Sequence, residues 1–301
     1  MRNYILWSKF AIIILLFIFF ICGNYADERA LSLESRVLES FEDSDTGEDC
    51  LDRWIIKGSK FVKKYVDLED NQEKEDIRLI KVNTWPEALH GKNLKKYPYY
   101  CLGLRTSFTR KGYNYIEIIP AREFDPEVDF REYIEGKDDP NSIVDSLTKC
   151  NKQYVLDRNN IIYTDQKGKE WVSNPIVFEG RAQAMSVWVW GSNFNYYFEA
   201  HLEDHRGVVH VLPFGDLLFN GWKNLTVDIP ASIPQAEKYI PRLRRLKLKK
   251  FMLWTRPTER ISGFYIYIDQ VKILTDLYET RYDGDELEDP EELQKIWGEC
   301  Y

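Results

Sequence analysis

Wherever the chain alternates clearly between apolar and polar residues, the period is two, the mark of β-strands. Residues 185–190 set Met185, Val187 and Val189 against Ser186, Trp188 and Trp190, so both faces are largely apolar and a central strand is predicted. After a turn at Gly191, Phe194, Tyr196, Phe198, Ala200 and Leu202 share one face, while Asn195, Glu199, His201 and Glu203 share the other. Further strands are predicted at Val208 to Leu212, Asn224 to Ile229, Leu246 to Trp254 and Phe264 to Leu274. Gly207, Pro213, Gly215, Gly221 and Pro230 punctuate them. Cys101 to Phe108 and Tyr113 to Ile119 flank Thr109, Arg110, Lys111 and Gly112, which reads as a hairpin. Many short strands without long intervening helices predict an all-β sandwich over residues 27–277.

Three stretches depart from that pattern. Residues 120–180 are charge-rich, carry Pro120, Pro126, Pro140 and Pro175, and are expected to form a surface excursion with short helices. At the N-terminus, Arg2 and Lys9 precede an apolar run from Phe10 to Cys22 and then Gly23, Asn24, Tyr25 and Ala26, the three-part layout of a secretory signal peptide. The run is 13 residues, shorter than the roughly 18 a spanning helix needs, so cleavage after Ala26 is expected and no membrane insertion afterwards. A lipoprotein signal acylated at Cys22 is the rival, but bulky Ile21 precedes that cysteine. Residues 278–301 form an acidic tail with nine acids against Arg281 and Lys295. Asp289, Pro290, Glu291 and Glu292 predict a helix start there, with Leu293, Ile296 and Trp297 on one face.

Charge then narrows the partners. Loss of residues 1–26 removes two bases and no acid, so the formal net charge of −8 becomes −10. Such a chain repels nucleic acid and anionic membrane, and proteins or glycans are the expected partners. Apart from Cys22, the cysteines are Cys50, Cys101, Cys150 and Cys300, too widely spaced for a zinc cluster. In an exported chain they permit disulfides in three alternative pairings, with free thiols as the other reading.

Catalytic chemistry finds little anchor. Of the four histidines, three lie in the stretch His201 to His210, where His201 is placed on a solvated strand face and His205 in a turn, not at helical ligand spacing. There is no glycine-rich phosphate loop after a strand and no Gly-x-Ser-x-Gly elbow, so no enzyme, cofactor or catalytic residue is expected. Trp188, Trp190, Trp222 and Trp254 are expected to fill the sandwich core rather than form a sugar-stacking platform. A basic strip of Arg242, Arg244, Arg245, Lys247, Lys249 and Lys250 stands out on an acidic molecule. It could meet tail acids such as Asp283, Asp285 and Glu286, either head to tail between subunits or within one chain.

Several word-like stretches resemble the spirochaete flagellar filament outer-layer (sheath) protein family, FlaA type. They are Val37 to Glu42, Trp85 to Gly91, Arg110 to Tyr115, Val187 to Tyr196 and Lys250 to Arg260. The resemblance is strongest from Arg181 onward and nearly absent from 120–175. It implies an exported structural subunit of the periplasm that coats a flagellin core beside copies of itself and contributes to filament stiffness and motility. A looser likeness, in Trp54, Gly221 to Lys223 and Tyr265 to Asp269, is to carbohydrate-binding jelly-roll modules, and a periplasmic carbohydrate-binding module is the alternative function. That likeness implies pairing of the first and last strands, bringing Ser40 to Asp43 beside Ile268 to Val271. It also implies a structural calcium, for which Glu42 and Asp269 offer oxygens. The plainer reading of two acids at strand ends is solvation or hydrogen bonding.

Overall fold

Strand alternation organises nearly all of the computed structural model, which describes residues 33–43, 49–67, 71, 73–90, 99–139, 153–165, 168–235, 244–277 and 297. All of these but Leu33 belong to one compact unit, Glu34–Tyr301. In chain order the strands are β1 (Leu33–Glu39), β2 (Trp54–Gly58), β3 (Lys64–Val66), β4 (Glu73–Glu75), β5 (Ile77–Val82) and β6 (Cys101–Thr106). They continue as β7 (Tyr115–Glu123), β8 (Phe130–Glu132), β9 (Tyr154–Leu156), β10 (Ile161–Thr164), β11 (Glu170–Ser173) and β12 (Ile176–Val177). The last six are β13 (Arg181–Ser192), β14 (Tyr197–Glu203), β15 (Val209–Asp216), β16 (Asn220–Asp228), β17 (Lys247–Trp254) and β18 (Phe264–Asp276).

Two sheets pack face to face as a jelly-roll-like sandwich. One runs β16-β13-β18-β6-β5 with β1 also paired to β18; the other runs β10-β11-β7-β17-β14-β15, with β2 on β7 and β12 on β17. The first and last strands therefore pair, as expected, and β13 is central. Inward residues of the first sheet include Met185, Val187, Val189, Leu102, Leu104, Phe264, Ile266 and Ile268; facing them are Ile116, Ile118, Phe198, Ala200, Leu202, Phe251 and Leu253. Aromatic contacts close one end of this core, where Tyr196 stacks on Phe264 at 4.2 Å and donates its hydroxyl to the Arg260 carbonyl. Each such fully buried side chain contributes about 1.5–3 kcal/mol.

The expected hairpin between Cys101 and Ile119 does not form. β6 lies between β5 and β18 in one sheet, whereas β7 pairs with β2, β11 and β17 in the other. Residues 107–114 cross between sheets, tied by Phe108 N to Ile261 O and Thr109 N to Phe61 O. Two strands that face one core from opposite sheets show the same local alternation as a hairpin, so the pattern could not separate them.

The four tryptophans expected in the core are not there either. Trp188, Trp190, Trp222 and Trp254 are half-buried and point outward, while Trp54 and Trp171 are buried. Parity decides this: Met185, Val187 and Val189 turn inward, so Trp188 and Trp190 must turn out, and Leu253 does the same to Trp254. Outside, Trp190 stacks on Tyr265 and meets Tyr267 edge-on.

The excursion expected at 120–180 is described in part, residues 140–152 and 166–167 lying outside the described residues. Its described part holds the β8–β9 pair, and β10 and β11, which extend the larger sheet beyond β7. Among the described residues of this stretch the helical content is one 3-10 turn at Arg158–Asn160. The signal segment lies outside the described residues, as does the acidic tail save Trp297, which is helical and exposed.

Candidate functional site

The outer face of the larger sheet carries an aromatic and charged cleft of about 360 Å3, lined by Tyr113, Tyr197, Glu199, Trp254, Thr255 and Arg256. Register builds it. Tyr197, Trp254 and Tyr115 are cross-strand partners in one row across β14, β17 and β7, and Glu199, Met252 and Glu117 form the next. Trp254 packs at 5.6 Å from Tyr115, and its Nε1 donates to Glu199 Oε1 at 2.8 Å. His201 Nε2 lies 3.0 Å from the same oxygen, and Lys250 pairs with Glu117 one row further.

Hydrogen bonds lock the loops at the cleft mouth. Thr255 Oγ1 donates to the Gly112 carbonyl at 2.7 Å and accepts from Asn114 N at 2.8 Å, holding the loop that presents Tyr113. Arg256 donates to Asn195 Oδ1 at 3.0 Å and pairs with Asp216, whose bond holds the guanidinium pKa above its ordinary value. Burial, then the charges of Glu199 and Asp216, push the Tyr197 hydroxyl up as well. At the far end of the same face, Ile55, Ile119, Ala121 and Trp171 form a small apolar cluster of their own.

A second polar centre lies where β1 meets β18. Buried Glu39 accepts from Phe41 N at 2.8 Å, Trp54 Nε1 at 3.2 Å and Arg53 Nη2 at 3.1 Å, and so clamps Phe41 in a left-handed conformation at φ 58°. That turn sends Glu42 toward Tyr100, whose N–H it accepts at 3.0 Å, and into electrostatic contact with Asp269. A bulge at Gln270, φ 47°, opposes Gln270 and Val271 to Val187 alone and leaves Asp269 buried at 2% exposure. Burial pushes the Asp269 pKa up to about 8; the Gln270 N–H lowers it, Glu42 raises it and Lys272 lowers it. Burial raises Glu42 too, against the Tyr100 hydrogen bond.

Glu42 and Asp269 are thus brought within electrostatic reach of each other at the pairing of the first and last strands. Calcium takes about six to eight oxygens, and among the described residues no group of three or more His, Cys, Asp or Glu could hold a metal. Burial raises both carboxyl pKa values above their ordinary range. Cys50 and Cys101 lie fully buried beside them as free thiols; burial pushes Cys50 up to about 12 and raises Cys101 further. Cys150 and Cys300 fall outside the described residues.

In the basic strip, Lys249 pairs with Glu203 at 2.6 Å and Lys250 with Glu117, so part of the strip is neutralised within its own sheet. Arg245 and Lys247 are exposed and Arg244 is half-buried. Arg242, Asp283, Asp285 and Glu286 fall outside the described residues. His201 is half-buried beside Glu199 rather than fully solvated, and His205 is exposed in its turn. His210 bonds Asp204; burial pushes that carboxyl up, but bonds from His210, Val208 N and Arg206 N outweigh it and hold it at about 2. Tyr113, Tyr197, Glu199 and Arg256 were not singled out by pattern. Strand parity was the available signal, since Tyr197 sits between inward Tyr196 and Phe198.

Comparison with known proteins adds a family. A family model described as flagellar filament outer layer protein FlaA matches residues 86–283. A putative flagellar filament outer layer-like protein of Brachyspira hyodysenteriae is 31% identical over 136 residues, 44% of this chain and 62% of that protein, so less than two thirds of the relative is spanned. Among solved structures, a family 11 carbohydrate-binding module of Clostridium thermocellum in complex with a mixed-linked tetrasaccharide is 9% identical. It aligns over 81% of this chain and 98% of its own with a TM-score of 0.33. TmCBM61 in complex with β-1,4-galactotriose is 12% identical over 79% of this chain and 97% of its own, again with a TM-score of 0.33. Likeness that weak reaches no further than the sandwich layout already evident in the sheets. The family match covers more than half of the sequence, and on that ground the chain belongs to the FlaA family of flagellar filament outer-layer proteins.

Proposed function

We propose that this chain is a structural subunit of the outer layer, or sheath, of a periplasmic flagellar filament, exported by its signal segment, coating a flagellin core and stiffening it for motility. The family match over residues 86–283 carries this reading. The architecture supports it: a densely packed sandwich offers two broad outward sheet faces, one bearing half-buried Trp188, Trp190 and Trp222 with exposed Tyr265. Aromatic surfaces of this kind are enriched where proteins meet. Contacts between neighbouring copies run head to tail in this proposal, from Arg242, Arg244, Arg245 and Lys247 of one to Asp283, Asp285 and Glu286 of the next, a heterologous arrangement that builds open polymers.

The test is to isolate periplasmic flagella and follow this protein by mass spectrometry before and after mild acid or detergent stripping. Enrichment with filaments and release on stripping is the expected result. Absence from intact filaments would overturn the reading.

A further inference from the structure

We propose that the outer aromatic face of the smaller sheet receives the C-terminal tail of a second copy of this chain, with Trp297 seated on Trp190, Trp222 and Tyr267. Cross-strand register builds that face. Trp222, Trp190 and Tyr267 lie in one row over β16, β13 and β18, and Gly103 and Ile80 carry the row on over β6 and β5. A Cβ at Gly103 would lie 2.9 Å from the Ile80 side chain and 3.2 Å from that of Tyr267, so glycine leaves room there for both. Tyr265, 39% exposed, stacks on Trp190 from the next row, and Ile80 is 47% exposed. Four strand intervals of roughly 4.8 Å make a shelf about 19 Å wide, enough to seat a helix of about 10–12 Å diameter.

Charge and reach select the occupant. Arg78, Arg105 and Lys272 border the face, against Asp228 on its β16 edge, so an acidic partner is favoured. Residues 278–301 carry nine acids against Arg281 and Lys295, and sequence spacing sets Leu293 and Ile296 on the helix face of Trp297. Trp297 is helical and 66% exposed, so the indole is uncovered in its own chain. The basic strip lies at one end of the same sheet: Arg244 N donates to Gln235 O at 3.0 Å, and the Gln235 side chain bonds Ala182 N and O at 2.8 Å. Trp190 stands eight residues further along β13, roughly 26 Å away. With the tail extended to Asp289 and helical beyond, Trp297 reaches about 22 Å from Glu286 and about 32 Å from Asp283. A tail whose acids meet the strip therefore brings Trp297 to the aromatic row.

Other occupants fit less well. Two copies packed face to face would gather Arg78, Arg105 and Lys272 of both into one contact, and like charges so placed repel. A chain's own tail docked there would cover its Trp297, which is exposed. An added β-strand pairs with a sheet edge, not with a face. A tail on one copy and a face on the next make a heterologous contact, which repeats without closing.

The inference rests on the head-to-tail contact proposed above and supplies its apolar half. The two readings can fail separately, because outer-layer location is read on filaments and tail docking on the soluble protein. The protein purified from cells is followed by sedimentation velocity over a range of concentrations, and growth into a ladder of oligomers is expected. Trp297→Ala, and separately Trp190→Ala with Trp222→Ala, each confirmed folded by thermal melting, should weaken association by about tenfold or more. Mixed together, the tail variant and the face variant should stop at dimers, since only one intact contact can form between them. Arg105→Glu, at an exposed position, gives a second face variant that leaves the core alone and should weaken association in the same direction. Trp254→Ala, on the outer face of the larger sheet, should leave it unchanged. A photocrosslinker placed at position 297 should join isotopically distinct copies through peptides of β13, β16 or β18. Lack of self-association at every concentration, association untouched by Trp297→Ala, or crosslinks confined to one chain would overturn the proposal. Enrichment on filaments alongside any of these results would leave the outer-layer reading standing without it.

Discussion

Replacing Asp269 with asparagine should stabilise the protein at neutral pH, and the effect should vanish in acid. The folded pKa of about 8 stands above the ordinary 3.8, so between these limits the native state holds a proton that the unfolded chain releases. Stability from this group is fully present below about pH 4 and is lost as the pH rises through about 8, at up to about 1.4 kcal/mol per unit. At pH 7 the accumulated loss is about 4 kcal/mol. The amide needs hydrogen bonds of its own; recovering half of that gives about 2 kcal/mol, or about 4–8 °C in Tm for a domain of this size. Above about pH 8, where Asp269 loses its proton, Glu42 gains as well, because a neutral side chain replaces a like-charged neighbour. The assay is thermal melting of the parent and Asp269→Asn from pH 4 to 8, with and without a calcium chelator. Curves that converge near pH 4 and separate toward pH 8, unmoved by the chelator, are expected. A variant less stable than the parent at pH 7, or a parent Tm lowered by the chelator, would refute the reasoning and show that the two carboxylates hold a cation.

Other perturbations probe different parts of the molecule. Cys50 and Cys101, buried and with raised pKa values, should resist iodoacetamide at pH 8 in the native protein and react on unfolding; rapid native labelling seen by mass spectrometry would contradict their burial. Gly180 adopts φ +63°, and a Cβ there would lie 2.4 Å from the Asp276 carbonyl oxygen. Gly180→Ala should therefore cost about 2 kcal/mol or more in denaturant unfolding, and a neutral result would mean that β13 and β18 shift freely. Phe251, fully buried between Trp54 and Phe198, should cost about 3–5 kcal/mol when changed to alanine, read from the same curves. Charge reversal at Arg244, Arg245 and Lys247 should reduce filament incorporation or monomer stability; loss of neither would dispose of the basic strip as a contact.

Strand existence was legible in the sequence because alternation is a local property. β13, β14, β17 and β18 form close to where period two placed them, and the pairing of β1 with β18 followed from the jelly-roll likeness. The clearest failures share one cause. Alternation says which residues lie together, not which side is inside or which sheet a strand joins. Trp188, Trp190 and Trp254 looked like core material by composition, yet smaller Met185, Val187, Val189 and Leu253 hold the inward parity. β6 and β7 looked like a hairpin, yet their hydrogen bonds run to β18 and β17, more than a hundred residues away.

The same division separates the sites. Sequence alone determined an acidic all-β chain, and its characteristic words marked the family, since composition, periodicity and short motifs are read without knowing neighbours. Tertiary structure decided the chemistry of individual side chains. A bulge at Gln270 and a left-handed turn at Phe41 were needed to bury Asp269 beside Glu42 and raise its pKa. Register across three strands was needed to set Tyr197, Trp254 and Tyr115 in one row above Glu199. Both arrangements depend on long-range pairing and on desolvation, which arise only when distant segments exclude water together.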